Sequence, residues 1–257
     1  MAVFISIFQP HILNVPFSEG LILIINGGVY MCAVLPYLHA VQENDISVIV
    51  PLFQLTPVFS FFLEWVLLGS TLQYYQVASG IVIIGSAFFI SIDMSGNQEF
   101  HLKKKAFVLM SISSLLFAVN SLLFKYFAIS TPFWTTSFYE YIGFACVALI
   151  LFLFVRNYRD EFLRVVRDNK REILVLNVGN EILNITGKIT FNAVSLLMPV
   201  TLAWILGGFQ PVFTFIYGIL LTLTLPRFIK ENIEKRVLVQ KIIAIGAMLG
   251  ATFLLGR

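Results

Sequence analysis

Long apolar runs separated by short polar segments make up almost the entire chain. Each run is close to the roughly 20 apolar residues that a helix needs to cross a bilayer, and all are too long for barrel strands. The pattern therefore predicts an all-α polytopic membrane protein. Eight spanning helices are predicted, near residues 20–41, 46–69, 75–93, 105–127, 134–155, 173–194, 199–224 and 237–256.

The sixth run, Ile173 to Val194, carries a stripe of polar residues. On a helix with about 100° per residue, four of them fall within roughly 60° of one another. A lipid-facing helix cannot carry such a stripe, so we expect it to face other helices or a water-filled cavity. It is explained either by an inter-helix hydrogen-bond network or by the lining of a substrate pathway. The four residues are Asn177, Glu181, Asn184 and Lys188, with Asn180 and Asn192 at the margins.

Composition agrees with a membrane protein and excludes several other classes. The chain has 257 residues, of which 58% are hydrophobic and 12% charged, whereas soluble proteins have about 25% charged residues. Its basic residues cluster between the predicted helices, which does not suggest nucleic-acid binding. Cys32 and Cys146 lie inside apolar runs, so no disulfide framework is predicted. The sequence has no CxxC or HExxH spacing, and we predict neither a metal nor a cofactor.

The distribution of basic residues predicts the orientation in the membrane. Fourteen of the 17 Lys and Arg residues lie in the segments 94–105, 156–172 and 225–241. The positive-inside rule places these three segments in the cytoplasm and both chain ends on the opposite side.

An internal repeat relates the second half of the chain to the first half. TPVFSF at Thr56–Phe61 returns as QPVFTF at Gln210–Phe215, 154 residues later. A unit with an odd number of spans is inverted when it is repeated, which predicts two inverted repeats in a ten-helix plan with about eight spans present. The predicted units are an incomplete first repeat over 1–93, a cytoplasmic linker over 94–104 and a five-helix second repeat over 105–257.

The first repeat is shorter than the second. It contains three helices and the tail of a fourth, against five helices in the second repeat. We therefore expect the sequence to lack roughly one and a half helices at its N-terminus. The alternative is a genuine eight-helix protein.

Three segments carry a resemblance to a known family. They are Ala33–Ser70 (AVLPYLHAVQENDISVIVPLFQLTPVFSFFLEWVLLGS), Gly80–Ile90 (GIVIIGSAFFI) and, more loosely, 193–221. In these segments the chain resembles the EamA family of the drug/metabolite transporter superfamily. The resemblance implies a ten-helix inverted-repeat carrier of small metabolites. Ser70 and the apolar stretch after Gly218 depart from the family, whose members commonly have an acidic residue there.

Ten residues are predicted to bind substrate or a coupling ion. Glu181 and Lys188 are about 10 Å apart along the helix axis, too far for an ordinary direct pair. Opposite charges at this separation suit a zwitterion such as an amino acid. No catalytic residue is predicted. The ten residues are Glu181, Lys188, Asn177, Asn184, Asn180, Glu140, Asn26, Tyr30, Gln54 and Gln210.

Several of the charged candidates have more than one interpretation. Glu140 is expected either to exchange a proton or to pair with Lys125 or Lys188. Snorkelling to the interface is the alternative for Lys188 and the favoured interpretation for Lys125. For Glu64, structural pairing is favoured over transport.

Four uncharged candidates occupy helices or positions that are related by the repeat. Near Pro57 and Pro211 they would orient a ligand at the middle of the bilayer, or hold helices together. They are Asn26, Tyr30, Gln54 and Gln210.

The predicted function is secondary active transport of an amino acid or a similar polar or amphipathic solute by alternating access. The partners are a small-molecule substrate and the lipid bilayer of the cell membrane, with a proton as the candidate coupling ion and a homodimer left open. A membrane enzyme is disfavoured because the sequence shows none of the familiar catalytic arrangements. The alternatives are a non-transporting scaffold or partner subunit, or a truncated inactive carrier.

Overall fold

The computed structural model describes residues 12, 15–44, 46–69, 73–90, 92–93, 101–168, 170–207, 210–224 and 234–255. Within these ranges the protein is almost entirely helical. Two short strands, β1 (Ile92–Asp93) and β2 (His101–Leu102), pair antiparallel. The helices are α1 (Phe17–Glu43), α2 (Ile46–Leu52), α3 (Leu55–Leu68), α4 (Tyr74–Ile90), α5 (Lys104–Ser130), α6 (Phe133–Phe154), α7 (Arg156–Asp168), α8 (Lys170–Leu197), α9 (Val200–Leu206), α10 (Gln210–Thr224) and α11 (Lys235–Leu255).

The predicted all-α polytopic class is confirmed. Six helical segments among the described residues are long and apolar enough to cross a membrane, and α4 is apolar but has only 17 residues. The 28-residue α8 is long enough, but it contains the polar stripe. The six segments are Phe17–Glu43, Val48–Leu67, Lys104–Ser130, Phe133–Phe154, Val200–Thr224 and Lys235–Leu254. The chain is an integral multi-pass membrane protein.

One run predicted as a continuous helix, 46–69, is interrupted. It breaks at Phe53 and Gln54, between α2 and α3. In the run predicted at 199–224, α9 ends at Leu206 and α10 begins at Gln210, and residues 208 and 209 lie outside the described ranges. Proline explains the break in the first run, because Pro57 has no N–H to donate to the carbonyl of Phe53. That carbonyl instead accepts a bond of 2.8 Å from the amide of Thr56. In the second run, Pro211 lies one residue after the start of α10.

The helix bounds recur at the offset of the sequence repeat. A shift of 154 residues carries α2, Ile46–Leu52, onto α9, Val200–Leu206. The same shift carries α1 onto α8, except that α8 begins one residue earlier. Two units of common architecture would produce this agreement, and it supports the predicted internal repeat.

Contacts between residues divide the chain into two compact units, each made of two segments. The first unit joins the residues up to Met31 to Leu123–Met198, and the second joins Cys32–Leu122 to the residues from Pro199 onward. Helices α1 and α5 each contribute to both units. Compact packing therefore does not follow the order of the predicted repeats along the chain.

In the second unit, the short helices of one predicted repeat pack on those of the other. α9 contacts α3, α10 contacts α2, and α11 lies along α4. Each short helix thus packs on a helix of the other predicted repeat. The buried core of this unit includes Ile49, Leu52, Met110, Ile245 and Met248.

One predicted loop contains a helix. The segment predicted as a cytoplasmic loop at 156–172 includes all of α7, which carries four arginines. Tyr158 and Phe162 on α7 are exposed, and the ring of Phe162 meets that of Phe152 edge-on at 5.8 Å. The prediction placed this segment between spanning helices and assigned it no secondary structure, and the structure shows an amphipathic helix there.

Candidate functional site

Two glycines bring the backbones of α1 and α6 into contact. A Cβ built on Gly27 would collide with the carbonyl oxygen of Glu140 and would lie 2.9 Å from the Cα of Gly143. A Cβ on Gly143 would in turn collide with the carbonyl of Ile24. Small residues permit this close approach of membrane helices. The crossing places α1 directly against the part of α6 that carries Glu140.

Glu140 forms a buried ion pair with Lys188 of α8. The Lys188 Nζ lies 3.1 Å from the Glu140 Oε1, and the exposed fractions of the two side chains are 9% and 0%. Of the two lysine partners that the sequence left open for Glu140, the structure selects Lys188. Lys125 instead donates a hydrogen bond of 2.8 Å to the carbonyl of Met198.

Asn192 and Tyr30 complete the surroundings of this pair. The Asn192 amide nitrogen donates to the second oxygen of Glu140, Oε2, at 3.2 Å. The Lys188 ammonium lies 4.4 Å from the centre of the Tyr30 ring, within the range of a cation–π interaction. We call Glu140, Lys188, Asn192 and Tyr30 the Glu140 cluster. Two of its residues come from α8, one from α6 and one from α1.

Aromatic side chains surround the cluster. The Tyr30 ring stacks on Phe144 at 4.6 Å with an interplanar angle of 23°, and Tyr141 packs edge-on against Phe144 at 5.0 Å. Within the described part of the chain, the buried hydroxyls of Tyr141 and Ser137 have no hydrogen-bond partner. Both residues lie on α6, within three residues of Glu140. The charges are therefore held in a mostly apolar environment.

The remaining members of the predicted stripe lie on the outside of α8. Asn177, Asn180, Glu181 and Asn184 are exposed, whereas Lys188 is nearly buried. The stripe therefore leads from an exposed polar surface to the buried Glu140 cluster.

The uncharged candidates are found in both units. Asn26 is buried on α1, one residue before the glycine of the crossing. In the second unit, the buried Gln54 lies in the break between α2 and α3 and accepts a hydrogen bond of 3.2 Å from Thr252. Gln210 is exposed at the first residue of α10.

Glu64 has a structural role in the second unit. Its carboxylate accepts hydrogen bonds from the amide of Val200 at 2.8 Å and from the hydroxyl of Thr201 at 2.6 Å. A carboxylate at this position satisfies amides that the first turn of a helix leaves without partners. Glu64 thus holds the start of α9, in agreement with the structural role expected for it.

Sequence analysis did not find the glycine crossing or assign Asn192 a role. Asn192 carried a signal, because it lies four residues after Lys188 and so near the same helix face. No sequence signal distinguishes Gly27 and Gly143 from other helical glycines. Among the described residues, no group of three or more His, Cys, Asp or Glu could hold a metal ion.

Comparison with known proteins supports the predicted resemblance. Residues 1–92 match the sequence profile of the EamA-like transporter family. A solved structure described as "Crystal structure of protein" aligns with 98% of this chain and 81% of its own, with a TM-score of 0.52 and 14% identity. That similarity shows a shared fold. The search of curated proteins found no match.

Proposed function

We propose that this protein is a secondary carrier that moves a small polar metabolite, such as an amino acid, across the membrane by alternating access. The EamA-like segment supports a transporter role, since that family is a family of transporters. The interrupted run at 46–69 supports it further, because broken helices expose backbone polar groups in carriers. In this proposal the Glu140 cluster belongs to the substrate site.

The observation that carries the proposal is the buried Glu140–Lys188 pair. Ionisable side chains within spanning helices are costly and commonly mark substrate or ion pathways. Replacing such a pair by well-packed apolar residues often leaves a protein as stable or makes it more so. Stability alone therefore gives little reason for the pair, whereas a carrier has a use for both charges.

The exposed part of the polar stripe supports the same assignment. Asn177, Glu181 and Asn184 share a helix with Lys188 and are exposed on it. Polar side chains at the depth of the membrane require water or a polar partner. A polar path along α8 to Lys188 supplies a route for a hydrophilic solute.

Glu140 is the residue that we propose carries the coupling proton. It is fully buried and its two oxygens are held by Lys188 and Asn192. A proton on this carboxyl would remove its charge, so the carboxyl would hold either the proton or a cationic group of the substrate. Loading and unloading of the proton would then alternate with binding of the substrate.

Counterflow in proteoliposomes tests the proposal. Vesicles preloaded with a metabolite mixture should exchange at least one amino acid, and an imposed pH gradient should change the rate of net uptake. Glu140→Gln should abolish the response to the pH gradient, while Glu161→Gln on the exposed surface of α7 serves as the charge-matched control. If the folded wild-type protein exchanges no metabolite, the carrier proposal fails and a scaffold or an inactive carrier takes its place.

A further inference from the structure

The ammonium of Lys188 is held by two different groups. Oε1 of Glu140 lies at 3.1 Å, and the face of the Tyr30 ring lies at 4.4 Å from the ring centre. A carboxylate and an aromatic face are the elements with which proteins recognise alkylammonium ligands. The surroundings of Lys188 thus match those of a bound organic cation.

We infer that Glu140 and Tyr30 form a binding site for a primary ammonium group, which the side chain of Lys188 occupies until a ligand replaces it. The inference rests on the proposed carrier function for its biological use, but the site itself is tested by binding. It assigns the amino group of the substrate to Glu140 and Tyr30, and it makes Lys188 the internal substitute for that group.

Exchange of one ammonium for another conserves the charge of the site. Removing Lys188 with nothing in its place would take away the cation that lies against the buried Glu140 carboxylate. Such an uncompensated buried charge is strongly unfavourable. A ligand ammonium restores the pair with no change in net charge, so replacement needs only movement of the flexible lysine side chain.

Lys188 has a partner after it is replaced when the ligand is a zwitterion. The lysine side chain is flexible, so its ammonium can then bind the carboxylate of the ligand. This accounts for an amino acid as substrate, with its two charges divided between Glu140 and Lys188.

The geometry also selects among cations. Glu140 is completely buried, and the nitrogen at its Oε1 is within hydrogen-bond distance. A primary ammonium has N–H groups for this bond, whereas tetramethylammonium has none and is larger. Sodium has no carbon chain to fill the space that the Lys188 side chain occupies. We therefore expect primary amines to bind in preference to both.

Lys188→Ala tests the site directly. The substitution removes a group equivalent to n-propylammonium, so this cation should fill the space and pair with Glu140. In nanodiscs, n-propylammonium chloride should raise the Tm of Lys188→Ala in a saturable way, while sodium chloride, n-propanol and tetramethylammonium chloride should not. Glu140→Gln/Lys188→Ala should show no such rise, since it lacks the carboxylate. Wild type should respond only at higher concentrations of n-propylammonium, since Lys188 competes for the site.

A folded Lys188→Ala protein whose Tm does not respond to n-propylammonium overturns the inference. If the variant is recovered only as an aggregate, the readout becomes the monodisperse fraction after extraction with and without n-propylammonium. In that case recovery supports the site, and a lack of recovery overturns it.

Substitutions of Tyr30 test the binding site independently. In the Lys188→Ala background, Tyr30→Leu should weaken the binding of n-propylammonium about tenfold, or about 1.4 kcal/mol, because it removes a desolvated cation–π contact. Tyr30→Phe keeps the aromatic face and should retain the affinity within about threefold. Equal losses in the two variants would contradict the role of the ring.

These binding results are separable from the carrier proposal. Stabilisation by n-propylammonium without metabolite counterflow would leave the ammonium site in place and remove the transport function. Counterflow without such stabilisation would support the transport function and overturn the ammonium site.

Discussion

Gly27 and Gly143 meet where α1 crosses α6, and a Cβ added to either glycine would collide with a backbone carbonyl of the facing helix. This relationship sets the distance between the helix that carries Tyr30 and the helix that carries Glu140. Backbone cannot move aside as the end of a flexible side chain can. The crossing therefore depends on glycine at both positions.

Gly27→Ala should lower the free energy of unfolding by at least about 1–3 kcal/mol, which is the usual effect of inserting a methyl group into a packed interior. Gly143→Ala should have a similar effect. Gly28→Ala is the matched control, since a Cβ there meets only a methyl group of Val147 at an ordinary 3.6 Å. Thermal unfolding in nanodiscs measures the difference, and equal Tm values for Gly27→Ala and Gly28→Ala would contradict the crossing.

The Glu140–Lys188 pair should show strong coupling in a double-mutant cycle. Lys188→Met alone should cost about 3–5 kcal/mol, because it leaves a buried carboxylate without its cation. Adding Glu140→Gln should recover much of that loss, so the double variant should be more stable than Lys188→Met. Unfolding midpoints of the four proteins measure the coupling. Additive effects would mean that the two charges do not interact as the structure shows.

Glu64 should be needed for the start of α9. Glu64→Ala removes the acceptor for Val200 and Thr201 and should cost about 1–3 kcal/mol, the penalty for leaving buried donors without a partner. Glu64→Gln keeps one acceptor oxygen and should cost less. Hydrogen exchange at the Thr201 amide should accelerate in Glu64→Ala, while unchanged exchange would argue against the cap.

The orientation predicted from the loop charges can be tested with single cysteines. In a background that lacks Cys32 and Cys146, Arg164→Cys on α7 should react with an impermeant maleimide only after the cells are permeabilised. Ser130→Cys, at the end of α5, should react in intact cells. The opposite pattern of labelling would reverse the predicted topology.

The membrane class and most of the helices could be predicted from the sequence, because lipid requires long apolar segments whose backbone bonds are satisfied internally. The break at Phe53–Gln54 was harder to predict. Proline is tolerated within many membrane helices, so its presence does not by itself show where a helix is interrupted.

The candidate site was predictable in its chemistry and not in its pairing. The sequence by itself determined that Glu140 and Lys188 lie in apolar segments and so require partners, since unpaired charges are costly in a membrane. Only the tertiary structure decided that they pair with each other, that Tyr30 faces the ammonium, and that Glu181 stays exposed. Helical periodicity orders residues around one helix axis, whereas contacts between distant segments depend on how closely the helices approach, here at Gly27 and Gly143.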